Sequence, residues 1–202
     1  EETSDLGTRA YTLLTLPLDA TLDRRDAPSD AKDGYYIDLN ATPFISTDGE
    51  IAGSRLYGDL RGYLSFGEED QLTLAARGQL GSLLGASLAD APADFLFYSG
   101  GGGTVRGQPY QALGVDGVDG TTGGASFAGA QLEARVTVRE NISLVGFYDV
   151  GYVSAGSTPG QDGDWHAGAG VGLRYNTGIG PIRLDLGTQA SGDNAGQDLQ
   201  VY

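Results

Sequence analysis

Few residues in this sequence carry side chains suited to catalysis or metal binding. His166 is the only histidine and cysteine is absent, which excludes a metal cluster built on histidine or thiolate ligands. A serine hydrolase would need His166 as its base, with Ser143 and Asp185 as candidate partners, but no local signature joins these three residues. The acidic segments at 67–70 and 160–164 lack the spacing of a calcium-binding loop and are interpreted as solvated turns. We therefore predict no catalytic residue, no metal and no cofactor.

The glycine-rich segment at 95–114, FLFYSGGGGTVRGQPYQALG, is a second candidate for chemistry. A phosphate-binding loop needs Gly-Lys-Ser/Thr ahead of a helix and a dinucleotide fold needs G-x-G-x-x-G, and the segment matches neither pattern. The net charge of −15 repels phosphate backbones. Nucleotide and nucleic-acid binding are therefore not expected. The residues that need another interpretation are Gly100, Gly101, Gly102, Gly103, Val105, Arg106 and Gly107.

Alternation of apolar and polar residues is the dominant pattern along the chain. The hydrophobic content of 40% is too high for a disordered protein. No apolar run approaches the roughly 18 residues that a transmembrane helix needs. Period-two alternation instead predicts β-strands. The alternating segments lie at 14–23, 35–42, 55–66, 72–80, 130–138, 142–152, 166–175 and 182–187, and a ninth begins near Asp198.

The polar faces of these predicted strands carry charges of both signs. In a membrane barrel such charges line a wet lumen while the apolar faces meet lipid. In a soluble sandwich the charges face water and the apolar faces pair into a core. Alternation by itself leaves both interpretations open. The charged residues concerned are Arg55, Asp59, Arg61, Arg77, Glu133, Arg135, Asp149, Arg174, Arg183 and Asp185.

The connections between the predicted strands differ in length in a regular way. Short turns at 67–70, 139–141 and 176–180 interleave with longer loops at 84–122 and 154–164. Outer-membrane barrels have short periplasmic turns and long external loops, so this arrangement favours a membrane barrel. The loop at 84–122 is much longer than an ordinary connection, and long ordered loops are usually functional. Tyrosines that would suit an interfacial girdle are Tyr35, Tyr36, Tyr152 and Tyr175.

Two motifs resemble the BamA-like surface-antigen superfamily. That family carries Val-Arg-Gly followed by an aromatic residue behind a glycine run, which residues 105–107 match, although Gln108 stands where the aromatic residue is usual. The strand segment FYDVG is similar to the family's F-x-D-x-G motif through Phe147, Asp149 and Gly151. The two motifs occur in the family's order, and the resemblance extends over nearly the whole chain.

This resemblance implies an all-β fold and a specific architecture. It implies that residues 1–202 form the C-terminal half, about eight or nine antiparallel strands, of a transmembrane barrel of about 16 strands. The N-terminal strands and periplasmic POTRA domains would then lie outside this chain, and the last strand would be cut short at Tyr202. We expect that such a fragment does not fold alone, because an unclosed sheet leaves two edges unpaired in lipid.

The resemblance also implies a role for the long loop. In the family, this loop folds back into the lumen and its arginine pairs with the acidic residue of the strand motif. The corresponding residues here are Arg106 and Asp149, and the alternation independently assigns Asp149 to the lumenal face. A guanidinium is a forked donor suited to a carboxylate. Glycines at 100–103 would let the backbone turn tightly beside the barrel wall.

The function implied by the resemblance is non-enzymatic assembly or translocation of proteins at the outer membrane of a Gram-negative bacterium. The pattern GGGG-x-VRG-x-x-YQ-x-LG looks most like the TamA branch, the outer-membrane subunit of the translocation and assembly module. That branch implies unfolded outer-membrane or autotransporter substrates, a TamB-like inner-membrane-anchored partner, and a weak barrel seam that templates new strands. A two-partner secretion transporter and a passive porin are the alternatives.

Overall fold

The computed structural model describes residues 2–4, 7–9, 12–117, 120–160, 162–191, 196 and 198–202. Helical structure there is limited to 3₁₀ turns at Glu68–Asp70 and Ala93–Phe95. No helix in these ranges is long and apolar enough to cross a membrane. The strands in chain order are β1 (Glu2–Ser4), β2 (Gly7–Arg9), β3 (Leu13–Thr15), β4 (Leu18–Asp23), β5 (Gly34–Ser46), β6 (Ala52–Phe66), β7 (Leu72–Leu84), β8 (Val115–Gly117), β9 (Gly120–Thr122), β10 (Ser126–Arg139), β11 (Ile142–Ser154), β12 (Gly163–Thr177), β13 (Gly180–Gln189) and β14 (Leu199–Val201).

One antiparallel sheet of ten strands dominates the fold. Its order is β14-β13-β12-β11-β10-β7-β6-β5-β3, with β4 also pairing with β5. The pairs β1–β2 and β8–β9 form separate hairpins, and the second of these lies within the long loop. The predicted all-β antiparallel fold is therefore confirmed.

Strands β3 and β4 are two parts of one interrupted strand. Leu14 pairs with Ile45 and Leu18 pairs with Ala41, so both parts keep the same register against β5. Pro17 interrupts the ladder because it has no N–H to donate. Counted as one strand, β3 and β4 bring the main sheet to nine, in agreement with the predicted eight or nine.

The outer face of the sheet is apolar and the inner face is charged, which is the reverse of a soluble protein with an apolar core. Large apolar side chains point outward and are exposed, as Leu132 is at 58%, whereas the carboxylate-bearing Asp149 of the inner face is fully buried. This matches a barrel with lipid outside and a polar interior. One tyrosine does not fit the expected girdle, because Tyr36 lies on the inner face beside Arg25 and Arg61. Tyr152 lies on the outer face, where its ring packs against that of Trp165.

The sheet curls with its polar face on the concave side. The turn at 24–33 precedes β5, yet the Ser29 carbonyl accepts a hydrogen bond from Arg183 of β13 at 3.0 Å. Its Asp30 carboxylate accepts another from Asn176 of β12 at 2.8 Å. In a flat sheet, β5 and β13 would stand about 29 Å apart, six strand spacings of about 4.8 Å. Only a curled sheet allows one turn to reach both sides.

The long loop occupies residues 85–125, between the end of β7 and the start of β10. It therefore extends three residues beyond the expected C-terminal limit of 122. The reason is that Gly124 forms an isolated bridge with Phe97 instead of continuing into β10. An apolar cluster joins the loop to the inner-face ends of the strands. Its buried members are Phe44, Leu83, Ala91, Leu96, Phe97, Ala125, Phe127 and Val153.

Candidate functional site

The apolar cluster anchors the loop at one end of the concave face. Phe97 is 4% exposed and packs where Gly81 of β7 leaves room, since a Cβ on that glycine would overlap the Phe97 ring. The Phe44 ring packs against that of Phe95 in the loop in a tilted arrangement, with the ring centroids 4.8 Å apart and an interplanar angle of 57°. Burial of such rings stabilises the loop on the sheet, because it removes apolar area from water.

The glycine run reverses the chain between two neighbouring segments of the loop. Gly100 and Gly101 have φ angles of +103° and +89°, a region that side-chain-bearing residues rarely adopt. The Gly101 N–H donates to the carbonyls of Val105, at 3.1 Å, and Gln108, at 3.0 Å. These bonds make residues 101–108 a compact tip, with Val105 fully buried.

Arg106 projects from this tip onto β11 and meets Asp149 in a bidentate pair. Its Nε lies 2.8 Å from Asp149 Oδ2 and its Nη2 lies 2.9 Å from Oδ1. The backbone N–H of Arg106 also donates to Oδ2, at 3.0 Å. Three donors therefore converge on one fully buried carboxylate. Two parallel N–H···O bonds of this kind fix geometry as well as charge.

Two further carboxylates share the same guanidinium. Arg106 Nη1 lies 2.6 Å from Glu133 Oε1 on β10 and 3.0 Å from Asp185 Oδ2 on β13. The Phe147 ring on β11 lies against the guanidinium, with its centroid 3.7 Å from the Arg106 Cζ. The alternation assigned Glu133 and Asp185 to the inner face, but no sequence signal connected either residue with Arg106. One loop side chain thus links β10, β11 and β13.

Glycines on the barrel wall make the close approach of the tip possible. A Cβ on Gly151 of β11 would lie 2.7 Å from Val105 Cγ2, and a Cβ on Gly168 of β12 would overlap the Arg106 carbonyl oxygen. Gly107 in the loop has a φ angle of +91°, and a Cβ there would overlap the Thr188 carbonyl oxygen. The glycine of the strand motif therefore has a steric role, which the sequence pattern alone did not explain.

Gln108 and Tyr202 hold the remaining side of the tip. Gln108, which stands in place of the family's aromatic residue, is buried and its Nε2 donates to the Ala167 carbonyl at 3.2 Å. The Tyr202 hydroxyl accepts from the Gly107 N–H at 3.1 Å and donates to the Gln108 carbonyl at 2.8 Å. Tyr202 continues the β14 ladder, because its N–H and C=O both bond Asp185 at 2.9 Å. The sequence marked Gln108 as a departure from the motif and Tyr202 as the end of the last strand, but it predicted for neither of them a role in holding the loop tip.

A second ion cluster attaches the glycine run to β6 and β7. Asp59 is 4% exposed and accepts from Arg77 and Arg61, with ion-pair distances of 2.6 Å and 2.8 Å. Arg77 Nη1 donates to the Gly103 carbonyl at 2.8 Å. The Asp59 carboxylate thus positions Arg77, which in turn bonds the loop backbone at Gly103.

The hydrolase candidates lie far apart. His166 pairs in register with Gly151, which stands eight residues along β11 from Ser143. That separation is about 27 Å at 3.4 Å per residue, so these two side chains cannot exchange a proton. Asp185 is opposite Gly172, six residues along β12 from His166. Within the described ranges, no three His, Cys, Asp or Glu side chains form a group that could hold a metal ion.

The comparisons with known proteins point to one superfamily. A family model described as "Omp85 superfamily domain" matches residues 1–201. The fold is similar to the crystal structure of BamA from Haemophilus ducreyi lacking POTRA domains 1–3, with a TM-score of 0.73 and 16% sequence identity. The similarity covers 93% of this chain and 41% of that one, so this chain spans about two-fifths of its length. At this identity the likeness is one of fold, and it agrees with the BamA-like resemblance predicted from the motifs.

Proposed function

The chain belongs to the Omp85 superfamily, and from that premise we propose that it is part of an outer-membrane protein assembly or translocation factor. The superfamily and the BamA-like fold support a role in inserting or secreting proteins at the outer membrane. In the proposal, residues 1–202 are the C-terminal part of the barrel domain. Further strands and periplasmic POTRA domains belong to the rest of the protein.

The observation that carries the proposal is the connection between the loop tip and β14. Arg106 is bound by carboxylates on β10, β11 and β13, and the backbone of residues 107 and 108 is bound by Tyr202. A porin has no need for a loop whose arginine is held by three strands. A machine whose strands must separate and close again needs an internal element that fixes their arrangement.

The proposed mechanism uses β14 as the C-terminal side of a barrel seam. This strand pairs with β13 at Leu186–Thr188, and Tyr202 continues the ladder at Asp185. A strand at a barrel seam offers N–H and C=O groups along its free edge, and these can template a new strand of an unfolded substrate. The loop tip keeps β14 in register while the seam opens. No nucleotide or other cofactor takes part, since substrate folding in lipid supplies the free energy.

The finer assignment rests on the loop motif. The glycine run and the YQ-x-LG segment favour the TamA branch, for which the substrates would include autotransporters and the partner would be a TamB-like protein anchored in the inner membrane.

The lipid bilayer contacts the exposed apolar face, on which Leu14, Leu64 and Leu132 are each more than half exposed.

The test is surface display of an autotransporter in cells that lack the full-length gene. The gene is restored as wild type, as Arg106→Glu, or as Arg139→Glu. Arg139 is an exposed residue at the end of β10 and provides the same charge change away from the loop. We expect the wild type and Arg139→Glu to restore display, and Arg106→Glu to fail while the barrel still reaches the membrane.

Other outcomes would redirect the proposal. Display that does not depend on the gene would contradict an assembly role for autotransporters and favour a two-partner secretion transporter. Bulk permeability that rises to porin levels in the wild-type protein would favour a passive pore. If Arg106→Glu and Arg139→Glu restored display equally, the assembly function would stand, but the proposed role of the Arg106 loop would be contradicted.

A further inference from the structure

A cavity lies on the concave face between the loop tip and the turn at 24–33. Its volume is about 280 Å³. Arginines dominate its lining: Arg61, Arg77, Arg106, Arg135, Arg174 and Arg183. These six are half of the 12 lysines and arginines in a chain whose net charge is −15. The protein therefore concentrates its scarce cations around one space.

The carboxylates around this cavity do not balance the arginines. Arg183 is the exception among the six guanidiniums, and four carboxylates form ion pairs with the other five: Asp59, Glu133, Asp149 and Asp185. Within this group of six described arginines and four paired carboxylates, two positive charges remain in excess. Arg183 is exposed at the cavity mouth, so the cost arises from repulsion among like charges gathered around one space, and an anion that enters the cavity would relieve it.

The excess positive charge is located at Arg174 and Arg183. They stand directly opposite each other in the β12–β13 register, and like charges in that arrangement repel. Arg174 pairs with Asp185 and Glu133. Arg183 has no carboxylate within 4.0 Å in the described part of the chain, and it donates only to the Ser29 carbonyl at 3.0 Å.

A buried donor also remains free at this point. Arg174 is 4% exposed, and its Nε has no hydrogen-bond partner among the described residues. A buried N–H without a partner is uncommon in native structures. Arg135, the next arginine along the lining, donates through Nη1 to the Ala31 carbonyl at 3.4 Å. Arg135 also pairs with Glu133 at 2.8 Å, so backbone carbonyls of the turn orient both Arg135 and Arg183, and only Arg183 is left without a carboxylate partner among the described residues.

We propose that this cavity binds a phosphate-type oxyanion through Arg135, Arg174 and Arg183. Guanidinium forks match the oxygens of a phosphate, and a dianion matches the excess of two positive charges. The group is either free inorganic phosphate or the phosphate of a lipid headgroup. The site does not depend on the proposed assembly function, because it needs neither the seam nor a substrate protein.

The experiment uses the full-length protein in non-phosphate detergent buffer. Its thermal unfolding and calorimetric binding are measured with inorganic phosphate, against sodium chloride at matched ionic strength. The variants are Arg183→Gln and, as a matched control outside the cavity, Arg139→Gln. We expect phosphate to raise the Tm of the wild type and of Arg139→Gln, and Arg183→Gln to bind phosphate about tenfold to hundredfold more weakly, the loss of one charged donor.

The controls keep the result decisive. If Arg183→Gln does not fold, Arg183→Lys keeps the charge without the fork and should retain weakened binding. Dihexanoyl phosphatidic acid, compared with dihexanoyl phosphatidylcholine, tests the lipid source, and binding of phosphatidic acid alone would assign the site to a headgroup. No stabilisation by either phosphate probe, or equal binding by Arg183→Gln and Arg139→Gln, would overturn the proposal and indicate that protein carboxylates balance the excess charge.

Discussion

Tyr202 and Gly107 are joined by a hydrogen bond of 3.1 Å between residues 95 positions apart in the sequence. The same hydroxyl donates to the Gln108 carbonyl at 2.8 Å, so it bridges a donor and an acceptor of the loop tip. The backbone of Tyr202 pairs with Asp185 of β13, whose carboxylate lies 3.0 Å from Arg106. The loop tip and the β14 ladder are therefore one connected unit.

Replacing Tyr202 with Phe is expected to loosen the loop tip without unfolding the sheet. The ring remains, and only the two hydrogen bonds are lost, each worth about 0.5–1.5 kcal/mol. Hydrogen exchange at the Gly107 amide should accelerate by about tenfold, while amides in β10 and β11 keep their rates. The control is Tyr35→Phe, since Tyr35 is an exposed tyrosine of the outer face. An unchanged exchange rate at the Gly107 amide would contradict the role of the Tyr202 hydroxyl in holding the loop tip.

Exchanging the charges of Arg106 and Asp149 in a double variant is not expected to restore the stability that each single change removes. Each single change, Arg106→Glu or Asp149→Arg, should destabilise the barrel by about 3–5 kcal/mol, the cost of removing one partner of a buried pair. In the double variant, a glutamate at 106 would meet Glu133 and Asp185, which now bind the arginine. Unfolding in denaturant measures all three variants. Recovery of wild-type stability in the double variant would show that the pair with Asp149 acts alone.

Adding one methyl group at Gly168 is expected to displace the loop tip. A Cβ there would overlap the Arg106 carbonyl oxygen, whereas a Cβ on Gly146, on β11, meets nothing within 4 Å. Gly168→Ala should therefore expose the loop to protease, and Gly146→Ala should leave it protected. Overpacking of this kind typically costs about 1–3 kcal/mol. Limited proteolysis with mapping of cuts within 85–125 separates the two variants, and equal protection would contradict the steric role.

The turn at 24–33 is expected to loosen in acid. Burial acts to raise the pKa of Asp26, but hydrogen bonds from the backbone N–H groups of Lys32, Asp33 and Ala27 outweigh it, so the pKa lies below its usual range. A lowered pKa means that the stabilisation is present above the ordinary value of about 3.9 and is lost as the pH falls through the lower folded value.

The measurement is proteolysis or hydrogen exchange of residues 24–33 between pH 7 and pH 2.5. Asp26→Asn keeps an acceptor oxygen and removes the titration, so its turn should show a weaker dependence on pH than the wild type. Asp38→Asn, a change at a half-buried aspartate of β5, is the control and should behave like the wild type. A turn that loosens equally in Asp26→Asn would assign the effect to another group.

The sequence by itself determined the fold class and the two faces of each strand. Alternation assigned Glu133, Asp149 and Asp185 to the inner face, and all three are there, because side-chain direction in a strand depends only on the period of two. Turn lengths and the two motifs indicated the barrel and its superfamily. These are local signals, and each can be read within a segment of about ten residues.

Only the tertiary structure decided which inner-face residues meet. Arg106 binds carboxylates that follow it by 27, 43 and 79 positions, and Tyr202 reaches the same tip from β14. Those contacts depend on how far the sheet curls, on the register of the four strand pairs from β10 to β14 and on the path of a loop with no period. A pattern of residues specifies the direction of a side chain, whereas a contact also requires the distance between backbones, and curling of the sheet sets that distance.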